Sequence, residues 1–199
     1  MSRLRPSFVL GYHGCDAAIV DELLKGKTSL IHSEREYDWL GPGAYFWESD
    51  PQRAREWAEE RASRKKGMKA AVIGAVIDLR NCLDLTVREN IELVQGAHES
   101  FVKEQQAADL ELPANLSPKG TRKKDRLLRY LDCAVIKHLH STMDNAPPGM
   151  GIEPFDTVRG MFVEGEPIYE GCGFNLNTHT QIAVRNDACI IGIFVPRAI

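Results

Sequence analysis

The sequence predicts an α+β fold, in which a β-sheet core is split by helices. Residues 70–79 form a continuous apolar run rich in valine and isoleucine, which is typical of a buried strand. Residues 157–195 contain three further strand-like stretches separated by turn residues. Between these regions, the apolar spacing over about 86–141 is that of helices. We therefore expect a helical block inserted between two halves of one sheet.

The size and composition of the chain limit its possible functions. Its 199 residues fit a single domain, 1–199, with 43% hydrophobic and 27% charged residues, as in ordinary globular proteins. A net charge of -3 gives no overall attraction to nucleic acid or to anionic membranes. We find no signal peptide and no membrane-spanning stretch, and the five cysteines are widely spaced. We therefore expect a cytoplasmic protein with reduced thiols, no metal site and no membrane partner.

The first 66 residues predict two strand–helix units. A strand over 8–15 leads to a helix that Asp16 caps and Gly26 ends. His13 then lies near the end of its strand, where open sheets bind ligands, or it makes a structural hydrogen bond. Residues 27–40 are predicted to form a loop, which either lies over the mouth of a site or is a solvated surface loop. A second strand over 41–48 precedes a helix that a cap at residue 49 or 50, followed by Pro51, begins.

The central block is predicted to contain two helices. Thr86 and Glu89 have the spacing of a capping box and would begin the first, which extends to about residue 108. The second is expected over about 123–141. Its basic start, residues 119–126, either contacts phosphates or is a solvated helix end. His138 and His140 are two apart on this helix and face different ways, so they do not predict a metal site.

Three strands are predicted in the last third of the chain. They cover residues 157–164, 180–185 and 189–195. Asn186 and Asp187 are expected to form a tight turn between the last two strands.

Residues 39–48, Trp-Leu-Gly-Pro-Gly-Ala-Tyr-Phe-Trp-Glu, have two interpretations. The simpler one is a Gly-Pro turn that enters a core strand. The other is a binding wall for a flat ring, because glycines let a backbone come close and aromatic residues offer a stacking surface. Alternation would place Tyr45 and Trp47 on one face of the strand and Phe46 on the other.

Three separated motifs give this second interpretation a context. They are Tyr12-His13-Gly14, the turn and strand Gly41-Pro42-Gly43-Ala44-Tyr45-Phe46, and the late Thr180-Gln181-Ile182. Their order resembles the ADP-ribosyltransferase superfamily, in its diphtheria-toxin and poly(ADP-ribose)-polymerase branch. That branch carries a His, a Tyr after a Gly-rich turn, and a Glu on a late strand. Residues 86–156 have no counterpart in it. The chain also resembles a bacterial group that shares its YHG, DWLGxGxYFWE and VRGxFxEGEP blocks.

The resemblance implies that NAD is a substrate and that the fold has a split sheet. It implies that the backbone of Gly14 grips the nicotinamide amide, that Tyr45 stacks on the ring, and that His13 binds a ribose hydroxyl. Gly43 and Phe46 would belong to the same binding wall. Arg159 would meet the pyrophosphate, or else form an ion pair at a strand edge.

The sequence departs from the family at the residue expected to drive the chemistry. Gln181 stands at the position of the late glutamate, so the implied catalytic set is His13, Tyr45 and Gln181. Charged hydrogen bonds are roughly twice as strong as neutral ones, and this difference argues against polymer formation. A carboxylate would have to come from elsewhere, and Glu164 and Glu48 are candidates, although a surface or structural role fits Glu164 as well.

Three hypotheses follow. The first is a mono-ADP-ribosyltransferase, of toxin or defence type, whose acceptor is a protein or nucleic acid and which would have an antitoxin-like partner. The second is a weakly catalytic NAD-binding module or NAD glycohydrolase on the same fold. The third discards the resemblance and makes Cys15, beside His13 and near a helix N-terminus, the nucleophile of a hydrolase.

Overall fold

The computed structural model describes residues 8–120, 125–147 and 149–197, and it confirms the α+β class. Within these ranges the chain forms four α-helices and a mainly antiparallel seven-stranded sheet. The strands are β1 (Phe8–Asp16), β2 (Ala44–Glu48), β3 (Ala70–Asp78), β4 (Cys82–Asp84), β5 (Asn115–Leu116), β6 (Leu128–Arg129), β7 (Thr157–Phe162), β8 (His179–Val184) and β9 (Ile190–Phe194). The helices are α1 (Val20–Leu24), α2 (Pro51–Arg64), α3 (Arg88–Ala107) and α4 (Tyr130–Asp144).

The strands of the main sheet follow the order β4-β7-β8-β2-β1-β3-β9. Every neighbouring pair is antiparallel except β4 and β7, which run parallel. The helices α3 and α4 both lie in the connection between β4 and β7, as the predicted helical block requires. Strands β5 and β6 form a separate two-stranded ladder. No helix in the described ranges is both long and apolar enough to cross a membrane.

The main sheet has two faces, which we name by the helices that cover them. On the α1 face, Phe46, Ile73 and Ile77 pack with Leu23 of α1 in the larger buried cluster. The opposite side is the α2/α4 face. There α2 covers β1 and β3, and Ile136 of α4 packs with Leu83 and the other buried side chains of the β4–β7–β8 side. Because side chains alternate along each strand, every strand residue belongs to one face or the other.

The local signals at the first two helix starts are confirmed. The Asp16 carboxylate accepts a hydrogen bond from the Ala18 backbone N–H at a short 3₁₀ turn that precedes α1. Asp50 accepts from the Arg53 N–H, and Pro51 occupies the first turn of α2. These caps depend only on residues three positions apart or fewer, so the sequence alone specifies them.

The predicted starts of the central helices are wrong. The N-cap of α3 is Val87, and the Thr86 hydroxyl donates to the Asp84 carboxylate, so it does not cap the helix. The helix α4 begins at Tyr130, later than predicted, because residues 128–129 pair with β5. Residues 121–124 of the basic run lie outside the described residues.

The predicted turn between the last two strands is also wrong as a hairpin. The Asn186 side chain caps a short 3₁₀ turn, and the chain then crosses to the edge of the sheet opposite β4, where β9 pairs with β3. The short strand β4 was not predicted, since three residues give too little periodicity. His13 does not lie at a strand end, because β1 continues to Asp16 along its full ladder with β3.

The turn before β2 fits tightly against α4. Gly41 has a φ of +79°, and a Cβ there would lie 2.8 Å from Cγ2 of Ile136. His140, the next α4 residue on this side, is buried, and burial lowers its pKa to about 4. Gly41 is therefore required by its backbone conformation and by its close packing against α4.

The close approach of β1 to its neighbours gives a test of the fold. A Cβ on Gly11 would lie 2.6 Å from Cδ1 of Ile77 and 2.9 Å from Cβ of Phe46, whereas one on Gly192 would meet nothing within 4 Å. We expect Gly11→Ala to lower the free energy of unfolding by about 1–3 kcal/mol through overpacking. Gly192→Ala should leave it unchanged or raise it by up to about 1 kcal/mol. Urea unfolding measures both, and equal midpoints for the two variants would contradict this packing.

Candidate functional site

The ladder between β1 and β2 is short. It pairs Gly11 with Glu48 and Tyr12 with Trp47 and then stops. Beyond it, His13 Nδ1 lies 2.7 Å from the Tyr45 carbonyl oxygen, which can only accept, so Nδ1 carries the hydrogen. Burial lowers the pKa of His13, so the ring is neutral. A side-chain hydrogen bond thus replaces the next backbone contact at a gap between the two strands.

The backbone of Gly14 faces this gap. The Leu10 carbonyl accepts from the Ser49 N–H, on the β2 side of β1. Because backbone groups alternate sides along an antiparallel strand, the N–H and C=O of Gly14 also point toward β2. Gly14 and Tyr45 are not a bridged pair. A Cβ on Gly14 would lie 2.4 Å from the Ala54 carbonyl oxygen of α2, so only glycine fits here.

The Tyr45 ring is partly buried on the α2/α4 face, against the cluster that α4 supplies. Its hydroxyl donates to the Gly41 carbonyl at 2.8 Å and accepts from the Leu40 N–H at 3.1 Å. Burial raises its pKa. Tyr45 therefore holds the turn in place, and stacking on a ligand ring would require this packing to open.

Gln181 projects from β8 on the α2/α4 face and is already hydrogen-bonded. Its Oε1 atom accepts from Trp39 Nε1 at 2.7 Å. Trp39 belongs to the loop predicted to lie over a site, and its ring also packs on Phe162 and against Gly160 of β7. The loop therefore covers Gln181 through one specific side chain.

Gln181 and five neighbouring side chains form a group on the α2/α4 face between the two helices. We call this group the inter-helix strip. Its members are Trp39, Trp47, Arg53, Glu164, His179 and Gln181. The Trp47 ring lies between Trp57 of α2 at 5.6 Å and His179 of β8 at 6.4 Å. His179 in turn stacks on Phe162. Trp47 is 4% exposed, so it forms the floor of the strip.

The strip combines charge with buried nitrogen donors that have no partner. Arg53 Nη2 lies 3.4 Å from Glu164 Oε2, and both side chains are largely buried. Trp47 Nε1 and Arg53 Nε are buried without a hydrogen-bond partner. Burial lowers the pKa of His179, so its ring is neutral. Buried donors of this kind cost free energy unless a ligand or water satisfies them.

Arg159 belongs to a different cluster, on the α1 face. Its guanidinium donates to Glu48 at 2.6 and 3.2 Å and to Asp84 at 3.0 Å. The hydrogen bond that Arg159 donates to Glu48 is the largest cause of the raised pKa of Arg159. Two carboxylates therefore balance the charge of Arg159. This arrangement agrees with the predicted ion pair, which was the alternative to pyrophosphate binding.

The structure divides the residues predicted for the site between the two faces. His13, Phe46 and Arg159 lie on the α1 face, whereas Tyr45 and Gln181 lie on the α2/α4 face. Gly43 packs against the Val184 backbone, where a Cβ would lie 2.7 Å from the carbonyl oxygen.

Sequence reasoning missed Trp39, Arg53 and His179 as members of the strip. His179 lies two residues before Gln181, so the alternation of β8 could have placed it on the same face. Arg53 faces the sheet one turn into α2, and its position there could have been read from the Asp50 cap. The contact of Trp39 with Gln181 has no signal in the sequence, because an irregular loop makes it.

Two open cavities lie away from the strip. Their volumes are about 370 and 310 Å³, and Pro42, Asp144 and Arg185 line both. Neither is lined by a residue of the predicted catalytic set. Trp39 Nε1 already donates to Gln181 Oε1, while the Gln181 side chain as a whole stays partly exposed.

Cys15 does not have the properties of a nucleophile. Its thiol is 3% exposed within the α1-face core, and burial raises its pKa to about 11. Cys172 is different. Desolvation acts to raise its pKa, but hydrogen bonds with the backbone of Tyr169 and Phe174 outweigh this and hold the pKa below the usual value.

No family model, no curated protein and no solved structure matches this chain. Among the described residues, no group of three or more His, Cys, Asp and Glu side chains could hold a metal ion.

Alkylation rates test the different surroundings of the Cys15 and Cys172 thiols. At pH 7.5 we expect iodoacetamide to alkylate Cys172 at least about 10²-fold faster than Cys15, because only the thiolate reacts. The Cys15 rate should rise about tenfold per pH unit toward its pKa of about 11. Mass spectrometry of the peptides measures both, with Cys189, whose pKa is also raised to about 11, as the control. Equal rates at Cys15 and Cys172 would restore the hydrolase hypothesis.

Proposed function

We propose that this chain binds NAD and transfers a single ADP-ribose group to an acceptor, as a mono-ADP-ribosyltransferase with an ADP-ribosyltransferase-like fold. A protein or nucleic-acid acceptor, a cytoplasmic location, a toxin or defence role and an antitoxin-like partner belong to the same proposal. The observation that carries it is the orientation of the Gly14 backbone. Its N–H and C=O point into the gap where the β1–β2 ladder stops.

This orientation suits the nicotinamide carboxamide. That group offers one carbonyl acceptor and one amide donor side by side, and one residue at the end of a ladder supplies the matching pair. The absence of a side chain at Gly14 lets α2 pack closely over this residue, so Gly14 presents only backbone groups at the gap. The orphan donors Trp47 Nε1 and Arg53 Nε offer further partners nearby.

Glu164 is the better of the two candidate carboxylates. Glu48 is neutralised by Arg159 on the α1 face. Glu164 lies beside Arg53 and close enough to His179 to influence its pKa, so it belongs to the same strip as Gln181. A negative charge here can stabilise the positive charge that develops on a ribose when its bond to nicotinamide breaks.

The proposed reaction uses these groups as follows. The bond between ribose and nicotinamide breaks, and its electron pair leaves with the nicotinamide. The acceptor nucleophile then attacks the ribose carbon and loses its proton to solvent. Glu164 stabilises the developing charge, while Gln181, freed from Trp39, holds a ribose hydroxyl. A neutral Gln181 fits transfer of one unit better than polymer formation.

The role of Glu164 can be tested with a variant that keeps its shape. We expect Glu164→Gln to lower nicotinamide release from NAD by about 10²-fold. Its NAD-dependent rise in Tm should persist, because binding depends mainly on the Gly14 backbone. Chromatography measures the nicotinamide, and thermal unfolding measures binding. Glu170→Gln, an exposed carboxylate in the same segment, is the matched control. If wild type shows neither nicotinamide release nor a shift in Tm with NAD, the proposal is wrong.

One observation favours a second function, an NAD-binding module with little or no turnover. Trp39 occupies Gln181 Oε1, so the residue at the family's catalytic position is engaged within the protein itself. In this case NAD would raise Tm without releasing nicotinamide.

The two functions predict different results for Gln181→Glu. If the chain is a transferase limited by its neutral glutamine, the added charge should raise nicotinamide release at least about tenfold. If the chain only binds NAD, the variant should show a shift in Tm and no nicotinamide. Trp39→Phe, which removes the indole N–H and keeps the ring packing, should act in the same direction as Gln181→Glu for a transferase and have no effect on release for a binding module.

A further inference from the structure

A serine, a histidine and a glutamate meet on the outer surface between α3 and α4, away from the inter-helix strip. His138 Nε2 lies 3.1 Å from Ser100 Oγ, and His138 Nδ1 lies 3.3 Å from Glu104 Oε2. Ser100 and Glu104 are four residues apart on α3, so they share the face of that helix that meets His138 of α4. The His138 ring also rests against Phe101 at 5.6 Å, which limits its rotation.

This is the order of groups that activates a serine. When Glu104 accepts from Nδ1–H, the free electron pair of the ring is on Nε2, and Nε2 then accepts from the Ser100 hydroxyl. A nucleophile, a base within hydrogen-bond reach and a third group that orients the base are the structural signature of nucleophilic catalysis. We propose that Ser100, His138 and Glu104 form a nucleophilic serine centre that accepts an acyl group from an activated donor, such as an aryl ester or thioester.

The chemistry balances without a cofactor. Ser100 Oγ bonds to the carbonyl carbon of the donor, and the bond from that carbon to the leaving oxygen or sulfur breaks. The hydroxyl proton passes to His138 Nε2 and then to the leaving group. The product is an ester on Ser100 together with the free alcohol or thiol.

The position of Ser100 inside α3 also limits the reaction. Its backbone N–H and those of its neighbours are engaged within the helix, so they do not supply the two donors of an oxyanion hole. Removal of one such donor typically costs about 10²–10³ in rate. We therefore expect Ser100 to be acylated by activated donors and to lose the acyl group slowly, so that the centre acts as an acyl acceptor, which fits a modification site.

The test uses p-nitrophenyl acetate as the donor. The chain should carry Cys172→Ser, because this partly exposed thiol with a lowered pKa would compete for the reagent. We expect a burst of about one equivalent of p-nitrophenolate that then stalls, with the acetyl group on Ser100 in peptide mass spectra. Ser100→Ala should abolish the burst, whereas Ser141→Ala, an exposed serine on α4, should leave it unchanged. Both are exposed helix positions at which alanine is well tolerated.

The partners of Ser100 are tested in the same assay. His138→Ala should slow the burst by about 10²-fold or more, and added imidazole should restore part of the rate by replacing the base. Glu104→Gln should have a smaller effect, because its carboxylate is 66% exposed and solvated. If Ser100→Ala keeps the burst, or imidazole fails to restore it in folded His138→Ala, the three residues only link α3 to α4. The proposal is then wrong, whatever the outcome for NAD.

Discussion

Alternation of side chains across the seven-stranded sheet determines which groups of this protein can act together. His13 and Gly14 are neighbours in sequence, yet the His13 ring packs on Phe46 on one face, while Gly14 lies under α2 on the other. Backbone N–H and C=O groups are exempt from this rule because they lie in the plane of the sheet. At the gap between β1 and β2 the backbone groups of Gly14 have no ladder partner on β2, so Gly14 can belong to a site that the side chain of His13 does not enter.

The regular elements could be predicted where the determining residues are close in sequence. The buried strand β3 is a continuous apolar run, and the caps Asp16 and Asp50 act within three residues of themselves. The failures involve distant partners. The last strand β9 was expected beside β8 but pairs with β3, and no local pattern states which strand an apolar segment will join. The start of α4 was misjudged because Leu128 pairs with Leu116 of β5.

The candidate site was predictable only in part for the same reason. Gly14 and Gln181 both belong to motifs that the sequence shows. Gly14 lies next to the gap between β1 and β2, and Gln181 lies in the inter-helix strip. The Tyr45 hydroxyl binds the turn of residues 40–41, a contact five residues or fewer away, which agrees with the simpler interpretation of that stretch as a turn entering the core. Trp39 lies 142 positions before Gln181 in the chain, so only the folded structure shows that its indole holds the amide. The resemblance therefore suggested a ligand, whereas the fold shows that Trp39 already engages the amide expected to contact that ligand.

The distribution of unsatisfied polar groups favours the α2/α4 face as the functional one. On the α1 face, Arg159 is matched by Glu48 and Asp84, and the Thr157 hydroxyl donates to the Leu79 carbonyl. Among the residues that the structure describes, the buried side-chain nitrogens that lack a partner belong instead to Trp47, Arg53, Arg129 and His140. All four residues belong to the α2/α4 face. Trp47 is on β2, Arg53 on α2 and His140 on α4, while Arg129 lies over the Phe162 ring. Each such nitrogen costs about 1–3 kcal/mol when buried, and a fold that satisfies its polar groups elsewhere retains this cost where a ligand or water supplies the missing hydrogen-bond partners. Glu164, beside Arg53, is on this face, and it therefore serves the proposed chemistry better than the fully matched Glu48.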